Sequence, residues 1–294
     1  MKKVIVILLL FIVVGPAVSV VAASQKLTRP GYRIVIDNEE LKLNDPPFLR
    51  AGATMVPFRP IFERLGLKVV WNAKSKQITA SNDEYNIMLT LGSRVAIVNG
   101  VKKNMPLAPA VIGNVTYVPL RFVGDASGGD VELYGGALNV VWVLSANQNQ
   151  LFSAIISEDL KEVERLLAAG SDPTVMIGPL GPEGYAFAGE SIPLIELFLK
   201  YGMDIDYYTS EWYGSTLLIN AVTAGRPDTV AFLIERGADP EVAVRDNWTP
   251  LQLAHYWREE IKNGYTNPID ESLTPIVEDY DAIIRMLEEA ISAK

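Results

Sequence analysis

The chain has 294 residues, 49% of them hydrophobic and 21% charged, a balance that suits about two folded domains and excludes a disordered tail. Asp and Glu (35) outnumber Lys and Arg (26), and the resulting net charge of −9 is the wrong sign for displacing counterions from nucleic-acid phosphate. With no Cys, and with His255 as the single His, one chain is without disulfide scaffolds, thiol nucleophiles, Cys-ligated zinc, iron–sulfur centres and multi-histidine copper sites; no metal or cofactor is expected.

In chain order, Met1-Lys2-Lys3 is a short positive region, followed by the apolar run 4–14, the helix-breaking Gly15-Pro16 and the small residues Val21-Ala22-Ala23. That order predicts a secretory signal over 1–23, cleaved after Ala23. The alternative is an uncleaved anchor, because residues 4–23 carry no charge and approach the ~20 residues that span a bilayer. No second run of that length follows. The working state is therefore expected outside the cell or at the envelope, with no membrane segment after cleavage.

Between residues 30 and 143 short strand-like runs alternate with turn residues. Arg33–Ile36 precedes the turn Asp37-Asn38 and a further strand at Leu41–Leu43. Lys68–Trp71 and Gln77–Ala80 flank a polar five-residue turn and read as a hairpin, and 86–91, 94–98, 115–118 and 139–143 as strands. Asn99-Gly100 between apolar stretches is a strong hairpin signal.

An internal repeat stands at an offset of 62 residues. Thr54, Val56, Pro57, Arg59, Gly66 and Val69 recur as Thr116, Val118, Pro119, Arg121, Gly128 and Val131. Each Val-Pro should end a strand, since proline has no N–H for the ladder. A short helix should follow, with Phe58, Ile61, Phe62 and Leu65 on one face and Gly66 as its left-handed cap. The block Thr-Met-Val-Pro-Phe-Arg-Pro-Ile-Phe-Glu-Arg-Leu-Gly-Leu-Lys-Val-Val-Trp-Asn (54–72) and its partner Thr-Tyr-Val-Pro-Leu-Arg-Phe-Val (116–123) resemble the copper amine oxidase N-terminal-like domain, also called the stalk domain of exported bacterial surface proteins. The resemblance covers 30–143 and implies an α+β fold, an antiparallel sheet packed on short helices. It does not imply oxidase activity: the catalytic part of those oxidases is a separate domain with three copper-binding histidines and a modified tyrosine. The second copy departs from the pattern, with Leu133-Tyr134 where the first has Trp71-Asn72, and with Gly128-Gly129 expected to loosen the region before it. Arg59 and Arg121 could grip an anion in forked geometry. The plainer expectation is that each pairs locally and fixes a strand–helix corner.

Residues 144–150 are polar and without period, and read as a linker. Beyond it, over 151–291, helical patterns alternate with Gly-x-Asp turns: Gly170-Ser171-Asp172, Gly202-Met203-Asp204 and Gly237-Ala238-Asp239. The glycines are 32 and 35 residues apart, and Trp248-Thr249-Pro250-Leu251-Gln252-Leu253-Ala254 is close to the Thr-Pro-Leu-His-x-Ala opening of an ankyrin repeat, whose period is ~33 residues. This half resembles an ankyrin-repeat array, an all-α solenoid of four to five repeats in which neighbours must stack to bury a core. The second repeat is interrupted at Gly178–Gly184, and the last carries an insertion over Glu259–Glu278 before a closing helix, Asp279–Ile291.

The resemblance implies a protein partner, bound through the hairpin fingers and the concave face of the first helices. The finger after Asp204 holds Tyr207, Tyr208, Trp212 and Tyr213, four rings in seven positions, and Trp248 opens the next repeat. Loops need not bury rings, so these five residues are the candidate partner-binding set; the alternative is that they close the side of an irregular array. Asp204, Asp206 and Glu211 alternate oxygen ligands as a Ca²⁺ loop would but lack its Gly and terminal Glu, so solvated acids are expected. His255 is expected to be packed or half-exposed rather than a catalytic base. No catalytic motif is present, and the expected function is non-enzymatic: protein binding at the cell envelope, with the stalk-like domain as positioning module. The rival readings are a purely structural, cell-wall-associated protein and an envelope hydrolase using unmarked carboxylates.

Overall fold

A computed structural model describes residues 28–134, 139–175, 191–208, 215–243, 247–267 and 274–294. The expected signal at 1–23 and the interruption at 178–184 lie outside these residues.

At the centre of the N-terminal domain the two repeat copies meet. β3 (Phe48–Arg50) and β4 (Ala53–Pro57) form one hairpin, β10 (Ala110–Ile112) and β11 (Val115–Pro119) the other. They join in the order β10-β11-β4-β3, with β4 and β11 antiparallel and Val56 opposite Val118. Two copies of one motif thus face each other about a local twofold. Pro57 and Pro119 stop the two strands and stand as the N-caps of α1 (Phe58–Arg64) and α2 (Leu120–Ala126). The helices end at Gly66 and Gly128, whose φ values of +77° and +76° are left-handed. Phe58, Ile61 and Phe62 are buried, as their helical spacing predicts.

Each helix leads into a sheet. In the first copy β5 (Lys68–Asn72), β6 (Gln77–Ser81), β7 (Asn86–Thr90), β8 (Val95–Val98) and β9 (Val101–Asn104) form an antiparallel meander. In the second, β12 (Asp130–Tyr134) pairs with β13 (Val140–Leu144), and β13 takes β1 (Arg33–Ile36) in parallel, with β2 (Glu39–Glu40) beyond it. The start of the domain therefore completes the sheet that its end begins. The inward rows, Ile34, Ile36, Val141 and Val143 from one sheet and Ile78, Ala80, Ile87 and Leu89 from the other, share one core with Phe62. The strand expected at Leu41–Leu43 is absent: β2 ends at Glu40, the Leu41 N–H still bonds to the Ile34 carbonyl at 2.8 Å, and Leu41 and Leu43 then pack on the core from irregular chain. Pro46-Pro47, just beyond, offers no N–H to prolong a ladder.

Gly128 and Gly129 do not loosen the second copy. A Cβ on Gly128 would lie 2.0 Å from the Tyr85 hydroxyl, and one on Gly129 would lie 2.0 Å from the Leu144 carbonyl oxygen. Gly129 is glycine because the Leu144 backbone leaves no room for a side chain, and Gly128 because its left-handed φ caps α2 while the Tyr85 hydroxyl fills the space beside it.

The segment read as a linker, 144–150, is ordered structure. Leu144 ends β13, Ser145 is the N-cap of α3 (Ala146–Ile156), and Asp37 Oδ1 accepts from the Ser145 N–H at 2.9 Å. Asn38 Nδ2 donates to the Thr174 carbonyl at 2.7 Å, and Asn149 Nδ2 to the Gly128 carbonyl at 3.0 Å. Leu144, Phe152 and Val175 bury one another. The polarity that suggests a linker thus belongs to side chains that bond across the joint.

Beyond α3 the described elements are helices: α4 (Leu160–Ala168), α5 (Ile192–Lys200), α6 (Leu217–Thr223), α7 (Pro227–Glu235), α8 (Pro250–Lys262) and α9 (Val277–Ser292). α3 packs on α4, α6 on α7 and α8 on α9, while α4–α5, α7–α9 and α6–α8 stack along the array. Their shared core runs from Leu151 through Phe198, Leu218 and Leu233 to Ile283 and Leu287. The repeated Asp of each Gly-x-Asp turn has a mechanical reason. Asp172, Asp204 and Asp239 each accept, through Oδ1, the N–H two residues on, at 2.7, 2.9 and 3.0 Å. The opening at Thr249-Pro250 forms a reciprocal capping box with Gln252. Part of the expected insertion is helix, because α8 continues through Lys262 and closes at Gly264. At its far end Pro275 lies against Gly225, where a Cβ would stand 2.4 Å away.

Candidate interaction site

The rings that sequence reasoning singles out fare differently. Tyr207 is half-buried and packs against the array core. Tyr208 is 42% and Trp248 38% exposed. Trp212 and Tyr213 lie outside the described residues. Asp204 and Asp206 hold backbone: Asp206 Oδ1 accepts the Asp239 N–H of the next repeat at 2.9 Å. Their carboxylates therefore brace neighbouring fingers. Glu211 is outside the described residues, and His255 is exposed on α8.

Trp248 is one end of a larger feature. Its ring meets Tyr256 edge-to-face at 5.6 Å, Tyr256 meets Trp257 at 5.3 Å, and Trp257 meets Tyr265 at 5.3 Å. Each geometry is the one that ring quadrupoles prefer, contributing about 0.5–1.5 kcal/mol per pair beyond burial. Trp257 also packs on the core, which anchors the strip, whereas Tyr256 and Tyr265 are 44% and 38% exposed. The helix that carries the strip is held from behind, where Arg258 Nε meets Asp281 of α9 at 2.5 Å. Lys262 pairs with Glu259 at 2.8 Å and holds its carboxyl below the ordinary range. The result is a rigid apolar line with a charged margin, the make-up of an interface core and rim.

Sequence reasoning missed Tyr256, Trp257 and Tyr265. The signal was the His-Tyr-Trp run directly after the Thr-Pro-Leu-Gln-Leu-Ala opening, on a first helix whose outward face ought to be polar.

The arginines behave differently from each other. Arg59 Nη1 meets Glu63 Oε1 at 3.1 Å, one helical turn on, and the guanidinium lies 5.8 Å from the centre of the Phe58 ring. Among the described residues Arg121 makes no such ion pair, and the two line separate cavities. They do not jointly grip an anion.

Comparison with known proteins agrees with this architecture. Residues 35–141 match the family model described as copper amine oxidase N-terminal domain, and residues 199–254 match ankyrin repeats. No curated protein matches the chain. Both matched modules are non-catalytic, and ankyrin repeats are protein-binding scaffolds. Among the described residues no helix is long and apolar enough to cross a membrane.

Proposed function

We propose that this chain is an exported, non-enzymatic protein of the cell envelope that binds another protein through its ankyrin array, with the duplicated β-rich domain as its positioning module. The observation that carries the binding reading is the Trp248–Tyr256–Trp257–Tyr265 strip: an anchored row of rings, three of them more than a third exposed, running from just before a first helix of the array, along it, to just past its end. Large rings already ordered before binding lose little entropy on contact and suit a hot spot. Tyr208 belongs to the same proposed set. Tyr207 does not, since it packs on the core. Export rests on the residue order of 1–23, and the envelope role on the resemblance of the β-rich domain.

The test is crosslinked capture from envelope and secreted fractions, using the chain from residue 24 onward, which holds every described residue. A Trp248→Ala, Tyr256→Ala, Tyr265→Ala variant runs beside it, after circular dichroism shows equal folding. One protein captured by the first and lost from the second supports the reading. Equal capture by both removes the strip from it, and recovery of wall glycan alone favours the structural alternative.

A further inference from the structure

The local twofold of the β-rich domain creates two equivalent grooves, and they differ in chemistry. The first, about 490 Å³, lies between Pro57-Phe58-Arg59 at the start of α1, Trp71 of β5, Asn44 and Asp45, and the tip Asn114-Val115-Thr116 of the other copy's hairpin. Its twofold mate, about 300 Å³, is built from the same places: Pro119-Leu120-Arg121, Leu133, Pro106 and the tip Gly52-Ala53-Thr54. At the offset of 62 residues, Phe58 corresponds to Leu120, Trp71 to Leu133, Asn44 to Pro106, Asp45 to Leu107 and Asn114 to Gly52.

The second groove shows what the fold itself requires: small and aliphatic residues suffice. The first has a ring or a hydrogen-bonding group at each of those five positions. Trp71 stands opposite Ile78, which is fully buried, yet its own side chain is 39% exposed over the groove. Its ring is larger than the core can cover. We infer that the groove of the first copy is a binding site for an uncharged saccharide.

The chemistry favours that ligand. A pyranose ring has an apolar C–H face that lies on an indole face, and hydroxyls that need both donors and acceptors at its edge. Asn44 and Asn114 offer both, Asp45 accepts, and Thr116 does either. The Glu63 carboxylate already engages the Arg59 guanidinium, so its remaining N–H groups point from a fixed fork. Lys42 and Arg59 balance Asp45 and Glu63, which leaves the lining without net charge. The volume lies within the range of about 300–1,000 Å³ typical of small-molecule sites. A proline-rich peptide would also lie on rings, but would leave most of these polar groups unused.

The experiment is isothermal titration calorimetry of the chain from residue 24 onward. The probes are trisaccharides of β-1,4-linked N-acetylglucosamine, β-1,4-linked glucose and α-1,4-linked glucose, with a deca-proline peptide beside them. Variants take the residue that the second groove carries: Trp71→Leu and, separately, Asn114→Gly. Neither type is foreign to the fold, and unchanged thermal unfolding confirms it. At least one trisaccharide should bind, weakened about tenfold by Trp71→Leu and less by Asn114→Gly, while Leu133→Trp in the second groove changes nothing in the first. Absence of binding by all three sugars, indifference to Trp71→Leu, or binding of the peptide in place of sugar would each overturn the assignment. The groove is on a different domain from the aromatic strip, so variants at Trp248 should leave sugar binding intact whether or not the array binds protein.

Discussion

The two copies in the β-rich domain share a motif and differ in what lies against their sheets. In the second copy β13 is buried on both faces: Val141 and Val143 face the shared core, while Leu144 on the opposite face packs on Phe152 and Val175 of the helical half. In the first copy β6, the counterpart of β13, turns Gln77, Thr79 and Ser81 outward, and the outward residues beside it, Val70 of β5 and Val95 and Ile97 of β8, are 52%, 41% and 36% exposed. One copy is the joint to the array, and the other keeps its outer face and its polar groove open. Duplication lets one motif do both, because the fold survives with either set of residues.

The largest effect should come from breaking the joint. Phe152→Ala empties the cluster with Leu144 and Val175 and should cost about 3–5 kcal/mol, read from urea unfolding of the whole chain. A large-to-small change on the outer face of the open copy, Val70→Ala, should stay within about 0.5 kcal/mol. Equal costs would mean that the two sheets are covered alike. Next in size is Gly129→Ala, which drives a Cβ into the Leu144 carbonyl oxygen; at least about 2 kcal/mol is expected. Alanine for Leu67, the residue that precedes Gly129 by one repeat offset, is no test of the same contact, because Leu67 fills core instead.

Smaller effects sharpen the comparison at Asp37. Burial at the joint raises its carboxyl above the ordinary range, against the opposing pull of the Ser145 hydrogen bonds and the Arg64 charge. An acid with a raised folded pKa binds more protons folded than unfolded. Its contribution therefore weakens as pH climbs from the ordinary value of about 4 through the folded pKa, and is greatest below that window. Asp37→Asn keeps the acceptor for the Ser145 N–H without the buried charge, so stability at neutral pH should hold or rise slightly, and the acid limb should flatten. Asp37→Ala loses the acceptor and should cost about 1 kcal/mol. The exposed pair Lys200–Glu164 offers the contrast: its removal should change stability little.

Much of this was legible in the sequence, for identifiable reasons. The 62-residue offset, the Val-Pro strand ends and the Gly-x-Asp turns are local chemistry, and each appears where its spacing puts it. The joint was not legible, because Asn38, Asn149 and Asp37 look like solvated turn residues until partners more than 20 positions away are known. The Gly128-Gly129 pair misled for a similar reason: tight packing and slack chain both use glycine. At the candidate site Trp248 stood out through the repeat motif, while Tyr256 and Tyr265 needed the fold to show that their rings join it in one row.

The division into joint and open copy is tested most directly by hydrogen–deuterium exchange on the chain from residue 24 onward, followed peptide by peptide. That division predicts that the amides of Asn149 through Ser157, which bond back along α3 and its caps, exchange as slowly as amides of α4. It also predicts that Phe152→Ala releases them while leaving β6 and β7 protected. Rapid exchange across 144–156 in the unaltered chain would show a linker there, and would contradict the assignment of the second copy as the joint.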